Sequence, residues 1–216
     1  MPRETDPQGL RPPVLIVNGF SFFPLFGLPI KECRDVYRQG GRMVAKIDWA
    51  LENMLDVTTY AGAILRRTVA LIGETKHQRV SLVSWSMGGI ASFYAMRHLG
   101  LHSLVDSFVA FGSPFGGSDL SYPAVVTGLY SKTAIQLMPG SQFLKDLTAG
   151  ELPGKVRYVS IGGDRDLICP SGSARLPGAE NIVGPYGHED FMISVGLHRL
   201  IASHLDGVGS SGAKLP

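Results

Sequence analysis

The chain has 216 residues, 44% of them hydrophobic and 18% charged, with a formal net charge of +2. That size suits one domain with a substantial core, and the composition excludes a disordered chain. The near-balanced charge, with no run of Lys and Arg, excludes the electrostatic footprint of a nucleic-acid binder.

The amino-terminal stretch Met1-Pro2-Arg3-Glu4-Thr5-Asp6-Pro7 is polar, and residues 1–12 read as an extension. It lacks the apolar core of a secretory signal, and no apolar run reaches membrane-spanning length. The expectation is a cytoplasmic protein, with a secreted protein lacking its leader as the alternative. Val14-Leu15-Ile16-Val17 is an unbroken apolar run, the pattern of a strand buried on both faces. A loop rich in Phe, Pro and Gly follows, containing Phe22, Phe23, Pro24, Leu25 and Phe26. Periodicity then predicts a helix over 30–37, ended by Gly40-Gly41, and a strand over 43–47. A helix is expected from an N-cap at Thr59 to about Ile72, with Ala63, Ile64, Val69, Ala70 and Leu71 recurring on it and Gly73 closing it. Further strands are expected at 80–83, 105–111, 156–161 and 182–183, and helices at 87–99 and 193–204. This alternation predicts an α/β fold, a mostly parallel central sheet flanked by helices.

Residues 115–153, after the fourth predicted strand, break the rhythm. They carry Val125, Val126, Leu129, Ile135, Leu137, Met138, Phe143, Leu144 and Leu147, too apolar for a solvated loop of that length. A lid-like insertion with short helices is expected there, inside a single domain spanning 13–206. The Gly- and Ser-rich residues 207–216 read as a flexible tail. Cys33 and Cys169 lack metal-ligand spacing and are expected as buried free thiols.

Ser84-Trp85-Ser86-Met87-Gly88-Gly89 joins a predicted strand to a predicted helix. It follows the Gly-x-Ser-x-Gly elbow, with Ser84 replacing the first glycine. A sharp bend there lifts the Ser86 hydroxyl out of the sheet edge. It also aims the Met87 amide, at a helix N-terminus, at developing negative charge. A serine hydroxyl needs a base, and in this arrangement the order is Ser, then an acid, then His. His188 sits in a loop between a strand and a helix. His98 and His102 precede any candidate acid, and His198 and His204 fall within the last helix. Asp166, in Gly163-Asp164-Arg165-Asp166, is the expected orienting acid. Asp164 is better explained as a turn or ion-paired residue. Asn18-Gly19-Phe20 follows the first strand, and the Phe20 amide is the expected second oxyanion donor.

With these residues assembled, the sequence resembles the lipase and esterase branch of the α/β-hydrolase superfamily over about 14–204. Val14 to Phe20 is similar to that family's strand followed by His-Gly-x, with Asn18 in the histidine's place. Gly112-Ser113-Pro114-Phe115-Gly116-Gly117-Ser118 resembles its Gly-Thr-Pro-His-x-Gly-Ser segment. Pro139-Gly140-Ser141-Gln142-Phe143-Leu144 resembles the segment after the lid in several bacterial lipases, and Ser141 also reads as an N-cap.

The expected function is cofactor-free, metal-free hydrolysis of a small-molecule ester with an apolar acyl or aromatic part. Thioesterase, acyltransferase, amidase or perhydrolase chemistry on the same residues is the alternative. A non-catalytic ligand-binding member of the fold is another.

Overall fold

In the computed structural model, residues 11–19, 29–47, 56–119 and 132–206 are described. Six strands run through them: β1 (Val14–Val17), β2 (Val44–Lys46), β3 (Val80–Trp85), β4 (Val105–Phe111), β5 (Arg157–Gly163) and β6 (Glu180–Gly184). They form one sheet in the order β2-β1-β3-β4-β5-β6, with every pairing parallel. The helices are α1 (Lys31–Gln39), α2 (Val57–Thr75), α3 (Met87–His98), α4 (Lys132–Gln136), α5 (Gln142–Thr148), α6 (Asp190–Ile193) and α7 (Val195–Leu205). A 3-10 turn, Leu101–Leu104, precedes β4.

The sheet divides the core by the two-residue period of its strands. Leu15, Val17, Leu82, Phe108 and Ala110 face one side, where they meet Ile64 and Leu71 of α2 and Ile90 and Phe93 of α3. Val14, Ile16, Val83, Trp85, Val109, Phe111, Val159 and Ile161 face the other, where they meet Tyr37 of α1 and Leu197, Ile201 and Leu205 of α7. Both faces are therefore covered, as the unbroken apolar runs of β1 and β3 require.

Two helices differ from expectation. α2 starts at Val57, because Asp56 caps it by accepting from the Thr58 N–H at 2.9 Å, so Thr59 lies inside the first turn. The helix passes through Gly73 and ends at Thr75, where Lys76 caps it at φ 57°. A glycine costs only about 1 kcal/mol within a helix, too little to stop one. Its buried stripe is Val57, Tyr60, Ala61, Ile64, Thr68 and Leu71, while Val69 and Ala70 are exposed. The expected last helix, 193–204, is α7 and starts two residues later: extended Ser194 separates it from the short α6, and the Ser194 hydroxyl accepts from the Leu197 N–H at 3.2 Å.

Within the apolar segment after β4, α4 and α5 are short helices. The Ser141 hydroxyl opens α5 by accepting from the Leu144 N–H at 3.2 Å. Leu137, Leu144 and Leu147 join the core on the α2 and α3 side, and Phe143 stacks on Tyr94 of α3. Val125, Val126 and Leu129 lie outside the described residues, as do the residue 1–10 stretch, the Phe22–Phe26 run and the tail after 206. No described helix is long and apolar enough to cross a membrane. Cys33 and Cys169 are both buried free thiols.

Candidate active site

Because all six strands are parallel, their C-terminal ends open on one edge. The strand order reverses between β1 and β3, the kind of switch point at which open α/β sheets bind ligands. Asn18 follows β1, Ser86 follows β3, Gly112 follows β4, Asp166 follows β5 and His188 follows β6, so five connections converge on this edge, four of them with side chains.

Ser86 sits at φ 54° and ψ −131°, backbone angles that cost a non-glycine residue about 1–3 kcal/mol. The bend is held from both sides. The Ser86 N–H donates to the Phe111 carbonyl at 3.0 Å, and the Ser86 carbonyl accepts from the Gly89 N–H at 3.0 Å. The side chain is half-buried, and Met87 behind it is buried at the start of α3. A Cβ at Gly88 would stand 2.2 Å from the Asn18 carbonyl oxygen, so only glycine lets α3 approach the loop after β1. Ser84 is accommodated differently. Its hydroxyl points to the α3 side and pairs with the Ser92 hydroxyl at 2.9 Å, both fully buried.

Asp166 has a side chain with no exposed surface and is fully bonded. Oδ1 accepts from the Ile168 and Cys169 N–H groups at 2.9 and 2.7 Å, and Oδ2 accepts from His188 Nδ1 at 2.7 Å. A carboxylate can only accept here, so the His188 proton lies on Nδ1 and the Nε2 lone pair is free for another proton. Burial, and secondarily the Asp166 charge, push the Cys169 thiol up to about 12, which leaves it protonated and inert. Asp164, by contrast, is exposed and ion-paired at 3.9 Å with Arg165, as expected.

The imidazole and Ser86 both lie against the end of β4. The residue after Phe111, which accepts the Ser86 N–H, is Gly112 at φ +54°. A Cβ there would stand 2.9 Å from Asp166 Oδ2 and 3.1 Å from His188 Nδ1. On the other side, the Trp85 indole N–H donates to the His188 carbonyl at 3.0 Å, and the two rings lie 5.1 Å apart. Gly19 packs against Ser86 itself. Phe20, the expected second oxyanion donor, lies outside the described residues.

The other histidines serve structure. His98 is exposed. His102 donates from Nδ1 to the Met96 carbonyl at 2.8 Å, near the end of α3. His204 pairs with Glu180 at 3.6 Å. His198 is fully buried, donating to the Phe191 carbonyl at 2.6 Å and accepting from the Tyr37 hydroxyl at 2.5 Å. Burial pushes it down to about 4, against the opposing effect of the Phe191 bond. Sequence reasoning missed the Trp85 and Ser92 contacts. Trp85 and His188 are 103 residues apart, and no spacing pattern joins them.

The family model of lecithin:cholesterol acyltransferase matches residues 31–148, more than half of the chain. The chain belongs to the lecithin:cholesterol acyltransferase family. Its fold is that of the α/β-hydrolase superfamily, in the lipase and esterase branch. Similar solved structures include Bacillus licheniformis lipase BlEst2 in its propeptide form, at 19% identity and TM-score 0.78. That match covers 99% of this chain and 53% of the other, so the chain spans about half of that relative. The mature form of the same lipase matches at 19% identity and TM-score 0.69, covering 94% of this chain and 92% of the other. A monoacylglycerol lipase from Paleococcus ferrophilus matches at 15% identity and TM-score 0.60, covering 92% and 96%. At these identities the likeness speaks to fold. The matched family residues include the Ser84–Gly89 bend but end before Asp166 and His188.

Proposed function

We propose that this protein hydrolyses carboxylic esters through an acyl-enzyme formed on Ser86. The supporting observation is the buried Asp166–His188 pair at 2.7 Å, on the same sheet edge as a serine held at positive φ. Ser86 Oγ attacks the ester carbonyl and its proton passes to His188 Nε2. Asp166 fixes the tautomer and stabilises the imidazolium. The Met87 N–H, at the N-terminus of α3, and the Phe20 N–H hold the oxyanion. The tetrahedral intermediate collapses, and the alcohol leaves with the proton from His188. Water, deprotonated by His188, then attacks the acyl-enzyme and releases the acid, restoring Ser86.

The Phe22–Phe26 run and the apolar 115–153 insertion, acting as a lid within a single 13–206 domain, favour a small ester with an apolar acyl or aromatic part. The family's description as an acyltransferase favours one second reading, in which an alcohol replaces water as the acyl acceptor. Added alcohols would then divert product from free acid to new ester.

Ser86→Ala is expected to lower turnover of short p-nitrophenyl esters by about three orders of magnitude or more. It should also abolish labelling by a fluorophosphonate. Unchanged turnover in that variant refutes the assignment, and absence of labelling in the folded wild type favours a ligand-binding member of the fold.

A further inference from the structure

Trp85 immediately precedes the bend, yet its side chain turns to the sheet face away from α3 and is 6% exposed. There it contacts the histidine loop three ways. Its indole N–H donates to the His188 carbonyl at 3.0 Å. Its ring lies 5.1 Å from the imidazole at an interplanar angle of 41°. It stacks on Phe191 at 5.5 Å and 10°. Phe191 in turn stacks on Phe111, whose carbonyl accepts the Ser86 N–H. The loop is also pinned beyond the imidazole, where the Phe191 carbonyl accepts from His198.

The Asp166 carboxylate fixes only one edge of the His188 ring. A ring held at one edge can still pivot about that bond, and the pivot is what carries Nε2 toward or away from Ser86 Oγ. Trp85 acts on the two freedoms that remain. The indole N–H fixes the His188 peptide plane and the indole face limits the swing of the imidazole. Because Trp85 and Ser86 are consecutive, any displacement of the bend carries the tether with it.

We infer that Trp85 is a positioning residue for the His188 imidazole, tying the base to the strand that carries the nucleophile through its indole N–H. This rests on the proposed ester hydrolysis. The contribution belongs to the chemical step, because all three Trp85 contacts fall on the base and its loop.

Two replacements separate the N–H from the ring. Trp85→Phe keeps an aromatic ring and removes the donor. The benzothiophene analogue of tryptophan at position 85 keeps the shape of indole and replaces N–H with sulfur, so it tests the bond where Phe packs poorly. Turnover is measured on p-nitrophenyl esters and normalised to sites titrated with a fluorophosphonate, so misfolded protein does not count. Both variants should lower kcat per titrated site about ten-fold, the worth of one ordinary hydrogen bond to a positioned group. KM should stay within about two-fold, and the rate of fluorophosphonate labelling should fall in parallel with kcat. Unchanged kcat per titrated site in the benzothiophene variant overturns the inference, whatever the yield of folded protein. A rise in KM with kcat intact overturns it too, since that places Trp85 in substrate binding. If instead Ser86→Ala keeps full turnover, the hydrolase reading itself fails, a result distinct from either outcome at Trp85.

Discussion

Ser84 and Ser92 show how a departure from a motif is absorbed at the level of single side chains. The bend requires a small residue two positions before Ser86, and a serine there brings a hydroxyl into a fully buried position. Left alone, a buried hydroxyl costs about 1–3 kcal/mol in lost hydration. The Ser92 hydroxyl, one face up on α3, satisfies it at 2.9 Å. Ser92→Ala should therefore destabilise the protein by about 1–3 kcal/mol, and Ser84→Ala by a similar amount. The double variant should lose less than the sum, because no hydroxyl is then stranded. Urea denaturation of the four proteins measures the coupling, and strictly additive losses would show that the pair carries no interaction. The same accounting separates Asp166 from Asp164. Asp166 has every oxygen partnered inside the fold, whereas Asp164 sits in water beside Arg165.

At the scale of elements, Asp56 ties two segments that are distant in sequence. It caps α2 through the Thr58 N–H, and it accepts from Lys132 Nζ at 2.7 Å and from Gln136 Nε2 at 3.0 Å, both on α4. Gln136 returns the contact, its Oε1 accepting from the Val57 N–H at 3.0 Å. Burial by itself would raise the Asp56 carboxyl, but the bonds from Lys132, Thr58 and Gln136 outweigh it and hold it down to about 2. A carboxyl held below its unfolded value stabilises the fold above that value, and the contribution disappears as pH falls through about 4 towards 2. Asp56→Ala should cost about 1–2 kcal/mol at neutral pH, the usual worth of an N-cap, and nearly nothing near pH 2. Chemical denaturation at the two pH values checks this. Lys132→Ala should cost under about 1 kcal/mol, because its side chain is 63% exposed and water screens the pair.

Across the whole molecule, His198 joins three elements that the chain visits far apart. It lies on α7, accepts from Tyr37 of α1 and donates to the Phe191 carbonyl of α6. Its Nε2 proton is committed to a carbonyl and its Nδ1 lone pair to a hydroxyl, so the buried ring has no place for a second proton. Burial accordingly holds it near 4, below the ordinary 6.5, and also lowers His204 on the same helix. The unfolded chain takes up these protons first as pH falls. Stability should be full above about 6.5 and decline as pH drops towards 4, with His198 accounting for a loss on the order of 3 kcal/mol. Urea midpoints between pH 7.5 and 4 measure the slope. Replacing His198 with glutamine should flatten much of that slope while lowering stability at pH 7.5. A wild-type midpoint independent of pH in this window would contradict the buried neutral assignment.

The sequence by itself determined the sheet, the bend and the identity of Ser86, Asp166 and His188 as candidates. Strand burial, helix periodicity and turn chemistry are local, and they are written in consecutive residues such as 14–17 and 84–89. Helix limits were less legible. The cap at Asp56 and the break at Ser194 turn on single side-chain hydrogen bonds that compete with equally plausible neighbours. Tertiary structure alone decided what holds those candidates together: the Trp85 tether, the Ser84–Ser92 pair and the His198 junction. Each joins groups through space across another strand or helix, and a contact of that kind depends on the angle at which whole elements pack, which no short stretch of chain encodes.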